Sequence, residues 1–245
     1  MAARWQDGGG AMDQAIFHLI NERWTHPALD LFMAAISDVQ IWKPVFVLLV
    51  LYALIFRGFK GRAFICCVAL TLALCETLAV RPLKSTIGRL RPKQVQSVRL
   101  IELQKARPKF LTIFKQPRIH RSTPRGEETT GGSFPSGHVT NNTVIGICCA
   151  LFFRRWGWLY GFITAAVAWS RIYLGAHWPS DVLATVFMAA GLTLLALALF
   201  ELIWQRAAAR WQPLLFALHP SLLETAVPVS HLRGAPEGGG NLPHR

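Results

Sequence analysis

Long apolar runs separated by short polar stretches set the pattern of this chain. Val45 to Phe56 is almost unbroken Val, Leu, Ile and Phe, and Ala63 to Val80 carries one acid, Glu76. Val144 to Phe153, Trp156 to Trp169 and Val182 to Phe200 follow. A helix needs roughly 20 apolar residues to cross a bilayer. The last run nearly reaches that alone, and the others reach it once polar flanks at the helix ends are included. Gln14 to Ser37 is a further helical segment, interrupted by Asn21, Glu22, Arg23 and Pro27. It reads as either an interfacial helix pair or a first span. The pattern predicts an all-α integral membrane helical bundle with five or six spanning helices.

Organisation along the chain follows. Residues 1–12 are polar and Gly-rich and are expected to form a flexible tail without a cleavable signal peptide. Residues 13–204 form the membrane-embedded domain. Residues 205–245 combine a surface helix up to Leu223, mixing Arg206 and Arg210 with Trp211, Leu214, Leu215 and Phe216, and a Pro- and Gly-rich tail expected to be disordered.

Composition supports this division. A 52% hydrophobic content and a mean hydropathy of +0.33 exclude an ordinary soluble domain. The five cysteines, Cys66, Cys67, Cys75, Cys148 and Cys149, all lie in apolar runs. Their odd number and pairing in adjacent positions give no disulfide framework and no zinc motif, so they read as small packing residues.

Charge adds a second pattern. The net charge is +13, yet 13 Lys and Arg against the single acid Glu102 fall between Arg81 and Arg125. The excess therefore belongs to one long loop. Residues 93–134 of it read as a basic, lid-like segment that draws anionic lipid, with a solvated basic loop as the plain alternative. Glu76 reads as a partner of Arg81 or Lys84, ahead of a polar contact between helices. The short loops carrying Arg57, Lys60 and Arg62, then Arg154 and Arg155, then Arg206 and Arg210 fall on one side, assigned as cytoplasmic. The long loop and the turn Tyr173 to Asp181 then share the opposite side.

Three clusters on that side carry chemistry. In Ser170 to Asp181, the Arg171 guanidinium suits two phosphate oxygens at once. His177 precedes Trp178 and Pro179, and Asp181 follows four residues on, so its carboxylate is expected to reach one imidazole nitrogen and leave the other to attack. In Pro135-Ser136-Gly137-His138, Ser136 caps a helix, Gly137 lets the backbone approach a ligand, and His138 can give a proton to a leaving oxygen. Helix N-termini also bind anions. Lys84 and Arg91, followed by Pro92, place two cations on one helical face. Alone, each cluster also reads as helix-end punctuation or membrane anchoring.

In order and spacing, Lys-x6-Arg-Pro, Pro-Ser-Gly-His and Ser-Arg-x5-His-x3-Asp resemble the three signature motifs of the type 2 phosphatidic acid phosphatase family, with every fixed position matched between Lys84 and Asp181. The resemblance implies a lipid phosphatase without metal or other cofactor. His177 would form a phosphohistidine, Asp181 would orient it, and His138 would protonate the leaving group. Lys84, Arg91, Arg171, Ser136 and the amide of Gly137 would hold the phosphoryl oxygens.

The expected partners are a phosphorylated membrane lipid and the bilayer, with no nucleic acid, and the expected location is a bacterial inner membrane with the site on the outer face. Undecaprenyl diphosphate ranks first, ahead of phosphatidic acid, phosphatidylglycerol phosphate and a phosphorylated glycolipid. A lipid phosphotransferase using the same residues is the main alternative. A non-catalytic membrane protein that binds anionic lipid is the other.

Overall fold

The structure is a computed structural model that describes residues 10–124 and 132–223. The expected tails, over most of 1–12 and from 224 onward, and Arg125 of the basic loop lie outside the described residues. The chain begins with α1 (Ala11–His18), extended by a wider π-turn at Leu19–Arg23, then α2 (Pro27–Ser37) and α3 (Val39–Phe56). Next come α4 (Gly58–Cys75), which runs through a second π-turn, Glu76–Val80, into α5 (Arg81–Ile87), and the short α6 (Pro92–Val95). After the basic loop come α7 (Gly137–Phe152), α8 (Tyr160–Tyr173), α9 (Pro179–Trp211) and α10 (Pro213–Leu218).

Among the described residues, α3, the stretch from Gly58 to Val95, and α9 are long and apolar enough to cross a membrane. Their outer surfaces are apolar. Leu48, Ile55 and Phe56 on α3 and Phe187 and Leu195 on α9 are exposed, whereas Thr71, Thr140, Thr143, Thr185 and Thr193 are buried. Apolar groups outside and hydroxyls inside suit a bundle whose solvent is hydrocarbon, because no water there can satisfy an outward polar group. Helix α7 packs against α4, α8 and α9, and α3 lies against α4. Helices α7 and α8 have 16 and 14 residues. Helix α2 has 11 residues, or about 16 Å at the α-helical rise, roughly half the hydrocarbon thickness. His26 caps its start by accepting from the amide of Ala28, and Pro27 fills the first helical position, so the chain breaks where the polar interruption predicted a break.

The basic loop departs from an all-helical reading. Arg99–Glu102 (β1) pairs antiparallel with Arg118–Arg121 (β2), with Leu100 opposite His120. A 3-10 turn, Lys109–Phe114, lies between them. The hairpin is tied down by the buried Asn21, whose amide donates to the carbonyls of Arg99 and Tyr173 at 2.9 and 2.7 Å. Arg99 in turn donates through both Nη atoms to Asp30, which also accepts from the Tyr173 hydroxyl. Part of the loop's charge is thereby spent on structure. Long-range ties of this kind are invisible to local periodicity. Glu76 accepts from Arg81 Nε at 3.2 Å, one of the two partners expected for it.

Beneath the hairpin, Phe17, Ile20, Val98, Val139, Tyr173 and Trp178 form one apolar core. It joins α1, β1, the start of α7 and the α8–α9 turn, the four places from which the site is built.

Candidate active site

Backbone turns bring the three clusters together. Helix α5 ends at Gly88 with φ +59°, a left-handed cap that favours glycine. The chain reverses there and presents Arg89 and Arg91 instead of continuing the helix. The α8–α9 connection turns at Gly175, φ +70°, where a side chain would meet Val98 and Leu100. His177 follows two residues on. Ser136 occupies the N-cap position of α7, but its hydroxyl makes no capping bond; Gly137 and His138 lie in the first turn.

His177 is 3% exposed. Its Nδ1 lies 2.5 Å from the backbone carbonyl of Ser133. A carbonyl only accepts, so Nδ1 carries the proton and Nε2 keeps its lone pair. The direct bond expected from Asp181 to the imidazole is replaced by an indirect one. Asp181 sits at the third position of α9, and its oxygens accept from Ser133 Oγ at 2.5 Å, Arg89 Nη1 at 2.5 Å and the Trp178 amide at 3.4 Å. The non-helical backbone at Trp178 means that His177 and Asp181 are not neighbours on one helix face. Ser133 bridges them: its hydroxyl holds the carboxylate and its carbonyl holds the ring.

Arg89 extends the network. Its Nη2 donates to Asp13 at 2.7 Å, and Asp13 also accepts from the amide and hydroxyl of Ser180. Arg89, Asp13 and Asp181 are all buried. A buried cation between two buried carboxylates is tolerable because each charge is paired and hydrogen-bonded.

Positive charge converges on His177. Burial first, then the charges of Arg171, Arg91 and Lys84, push its pKa well below the usual imidazole value, while the Ser133 carbonyl acts the other way. The ring is thus held neutral. Arg171 is anchored by a hydrogen bond from Nη1 to the Ser37 hydroxyl. The Arg91 backbone amide donates to Gln94 Oε1. Among the described residues, Arg91 Nε, Arg171 Nε and Ser136 Oγ are buried with no partner in the protein. A phosphoryl group offers the acceptors that such donors lack. The charges of Arg91 and Arg171 also act on Lys93, which brings a further cation to this group.

His138 stands at a different boundary. It lines a cavity of about 750 Å³ with Ser37, Asn142 and apolar residues of α2, α3 and α8, among them Val39, Trp42, Phe46 and Leu49. The Arg171 charge is felt at His138 as it is at His177. The arrangement thus joins a cationic pocket to a greasy slot with an imidazole at each.

All eight residues expected from the motifs, Lys84, Arg91, Ser136, Gly137, His138, Arg171, His177 and Asp181, lie in this region. Ser133, Arg89, Asp13, Ser37 and Lys93 were not foreseen. Arg89 and Ser133 sit within or two residues before recognised clusters, a local hint that was there to be read. Asp13 and Ser37 had no local signal, because their partners are 76 and 134 residues away.

Known proteins resemble the chain in sequence and in fold. The chain is 28% identical over 164 residues to a lipid A 4'-phosphatase from Bacteroides thetaiotaomicron, a match covering 64% of each protein. It is 41% identical over 56 residues to an undecaprenyl-diphosphatase from Sulfolobus acidocaldarius, covering 22% of this chain and 27% of that protein. Both matches thus span less than two thirds of the relative's own length. Among solved structures, Aquifex aeolicus LpxE has a TM-score of 0.52 at 24% identity, covering 78% of this chain and 97% of that one. A transmembrane PAP2-type phosphatidylglycerolphosphate phosphatase from Bacillus subtilis has a TM-score of 0.52 at 19% identity, covering 82% and 91%. These two show the fold. The family model described as the PAP2 superfamily matches residues 60–205, well over half the chain and every motif cluster. The chain is an integral membrane member of the PAP2 superfamily.

Proposed function

We propose that this protein is a membrane phosphatase that hydrolyses a lipid phosphate or diphosphate through a phosphohistidine at His177. The observation that carries the reading is the contact between His177 Nδ1 and the Ser133 carbonyl, which leaves a neutral, basic Nε2 among Lys84, Arg91 and Arg171.

In the first step Nε2 attacks phosphorus. The bond from phosphorus to the leaving oxygen breaks as the N–P bond forms. His138, whose pKa burial and then the Arg171 charge push down to about 4 in the free enzyme, takes up a proton with the incoming negative phosphate and gives it to that oxygen. In the second step water attacks phosphorus, His138 takes the water's proton, and the N–P bond breaks. Phosphate leaves and both imidazoles return to their starting forms. The three cations, Ser136 Oγ and the Gly137 amide hold the equatorial oxygens, where the negative charge of the transition state is spread. Side-chain cations fill the role that metal ions fill elsewhere. Asp181, through Ser133, steadies the charge that develops on His177.

The slot lined by His138 suits the apolar part of a lipid whose leaving oxygen meets that imidazole. Undecaprenyl diphosphate and phosphatidic acid fit this chemistry. The longer alignment with a protein named as a lipid A 4'-phosphatase favours a phosphorylated glycolipid as the second substrate reading. The site faces the outer side of the membrane, because Arg57, Lys60, Arg62, Arg154 and Arg155 lie at the other ends of the helices.

The test is phosphate release by purified protein across these lipids, with and without an acceptor alcohol. His177→Ala should abolish release, and the acid-labile, base-stable label trapped from ³²P-substrate on the unsubstituted chain should be absent from His177→Ala. Unchanged release by His177→Ala would sink the reading. Phosphoryl transfer to the alcohol in preference to water would make the protein a transferase.

A further inference from the structure

The 3-10 turn Lys109–Phe114 presents a surface that neither the fold nor the catalytic pocket explains. Phe114 is 82% exposed, Phe110 48% and Leu111 38%, and Ile119 on β2 is 49% exposed beside them. Lys105, Arg107, Lys109, Lys115 and Arg118 surround these residues and are exposed as well. No acid occurs between Leu103 and Pro124. In water such an apolar tip is unfavourable, and closely spaced like charges repel one another. Both features turn favourable against an anionic lipid leaflet, where the rings enter the acyl boundary and the cations meet headgroup phosphates.

The turn's position matches that partner. Lys109 Nζ donates to Gln40 Oε1 at 3.0 Å. Gln40 is the second residue of α3, and the unbroken apolar run of that helix begins at Val45, after Lys43 and Pro44. Five residues of helix are about 7.5 Å, within the depth at which interfacial apolar groups settle. The turn is therefore level with the headgroup region. Ile113, on its inner side, lines the same cavity as His138 and Trp42.

We propose that residues 105–119 form a membrane-docking surface that seats on anionic lipid at the mouth of the apolar slot and guides a lipid from the leaflet into it. The docking stands on the exposed rings, the charge and the depth alone. The guiding rests on the phosphatase reading given above.

Hydrogen–deuterium exchange of the full chain in nanodiscs tests the docking without reference to activity. Amides of residues 109–114 should exchange several-fold more slowly in discs containing phosphatidylglycerol than in discs of phosphatidylcholine alone. The double substitution Phe110→Ser/Phe114→Ser should remove the difference, as should the charge set Lys105→Gln/Lys109→Gln/Lys115→Gln. All five positions are exposed, so neither variant removes core packing. Equal exchange of the unsubstituted chain in the two kinds of disc would overturn the docking.

Kinetics tests the guiding. Phe110→Ser/Phe114→Ser should slow hydrolysis of a long-chain lipid phosphate in phosphatidylglycerol proteoliposomes by about tenfold. Hydrolysis of a monomeric, water-soluble short-chain phosphatidic acid should not change. Equal loss on both substrates, or no loss on either, would overturn the guiding. If the unsubstituted protein hydrolyses neither, the phosphatase reading falls, and the exchange experiment still decides whether the surface docks.

Discussion

The Ser133 carbonyl accepts from His177 Nδ1 while the hydroxyl of the same residue donates to Asp181, each at 2.5 Å. One serine thus connects the His177 ring to the carboxylate that sequence spacing had placed in direct contact with it. Ser133→Ala keeps the carbonyl and loses the hydroxyl. Leaving a buried carboxylate short of one donor costs about 1–3 kcal/mol. If that cost falls on the transition state, kcat drops roughly ten- to a hundredfold with KM little changed. Steady-state kinetics on the best lipid substrate checks this. A change confined to KM would show that the hydroxyl serves binding instead.

Arg89 is predicted to act on stability more than on phosphate binding. Arg89→Met leaves Asp13 and Asp181 buried without their shared cation, which costs about 3–5 kcal/mol for a broken buried pair. Thermal unfolding in detergent should show a large fall in Tm. Asp13→Asn, which keeps a hydrogen-bonding side chain and leaves Arg89 paired with Asp181, should lower Tm by much less. Equal Tm values for Arg89→Met and the unsubstituted chain would refute this role.

Activity is expected to persist at acidic pH. The His177 pKa in the free enzyme lies well below the usual value of 6.5, chiefly through burial and then the charges of Arg171 and Arg91. A lowered pKa keeps Nε2 unprotonated as pH falls. The limb of kcat/KM that reports protonation of the nucleophile should therefore lie on the acid side of 6.5, after correction for the substrate's own ionisation. A limb at or above that value would contradict the electrostatics. Arg171→Gln should move it upward, since one of the charges opposing protonation is removed.

Two further substitutions separate charge from geometry. Arg171→Lys keeps the positive charge but loses the planar fork and the anchoring bond to Ser37. Removing one preorganised donor from a charge-stabilising site typically costs about 10²–10³ in kcat, and Arg171→Lys is expected near the lower figure. Ser37→Ala, which only frees the fork to move, should cost less. Full activity in EDTA is expected for all of them, and loss in EDTA would put a metal ion into the mechanism.

The membrane orientation has its own check. A reporter fused after Arg210 should report the cytoplasmic side. An external signal would invert the bundle and move the site to the inner face.

Much of this was legible in the chain itself. The apolar runs gave α3, α4 and α9 because a period of unbroken Val, Leu and Phe has few other solutions. The motif residues pointed to one site because Gly88, Pro92, Ser136 and Pro179 mark helix ends at the same water layer. The hairpin was not legible: β1 and β2 are four residues each in a strongly basic segment, and they are held by Asn21 and Asp30 from far away in sequence. Nor was the role of Ser133, because a residue that contributes its carbonyl leaves no mark in side-chain chemistry. Asp181 was correctly placed near His177 but given the wrong contact, since helix spacing does not run through the extended backbone at Trp178.

The Asp13–Arg89–Asp181 network also bears on how the protein is made. Asp13 leaves the ribosome first, Arg89 is inserted with the middle of the bundle, and Asp181 arrives only with the long final helix. Until then Arg89 has Asp13 as its acidic counter-charge, and His177 has not yet been delivered to the cations. A chain stalled before α9 therefore lacks Asp181 and its bonds to Ser133 and Arg89, so the support of the His177 ring is completed only when the last helix is made.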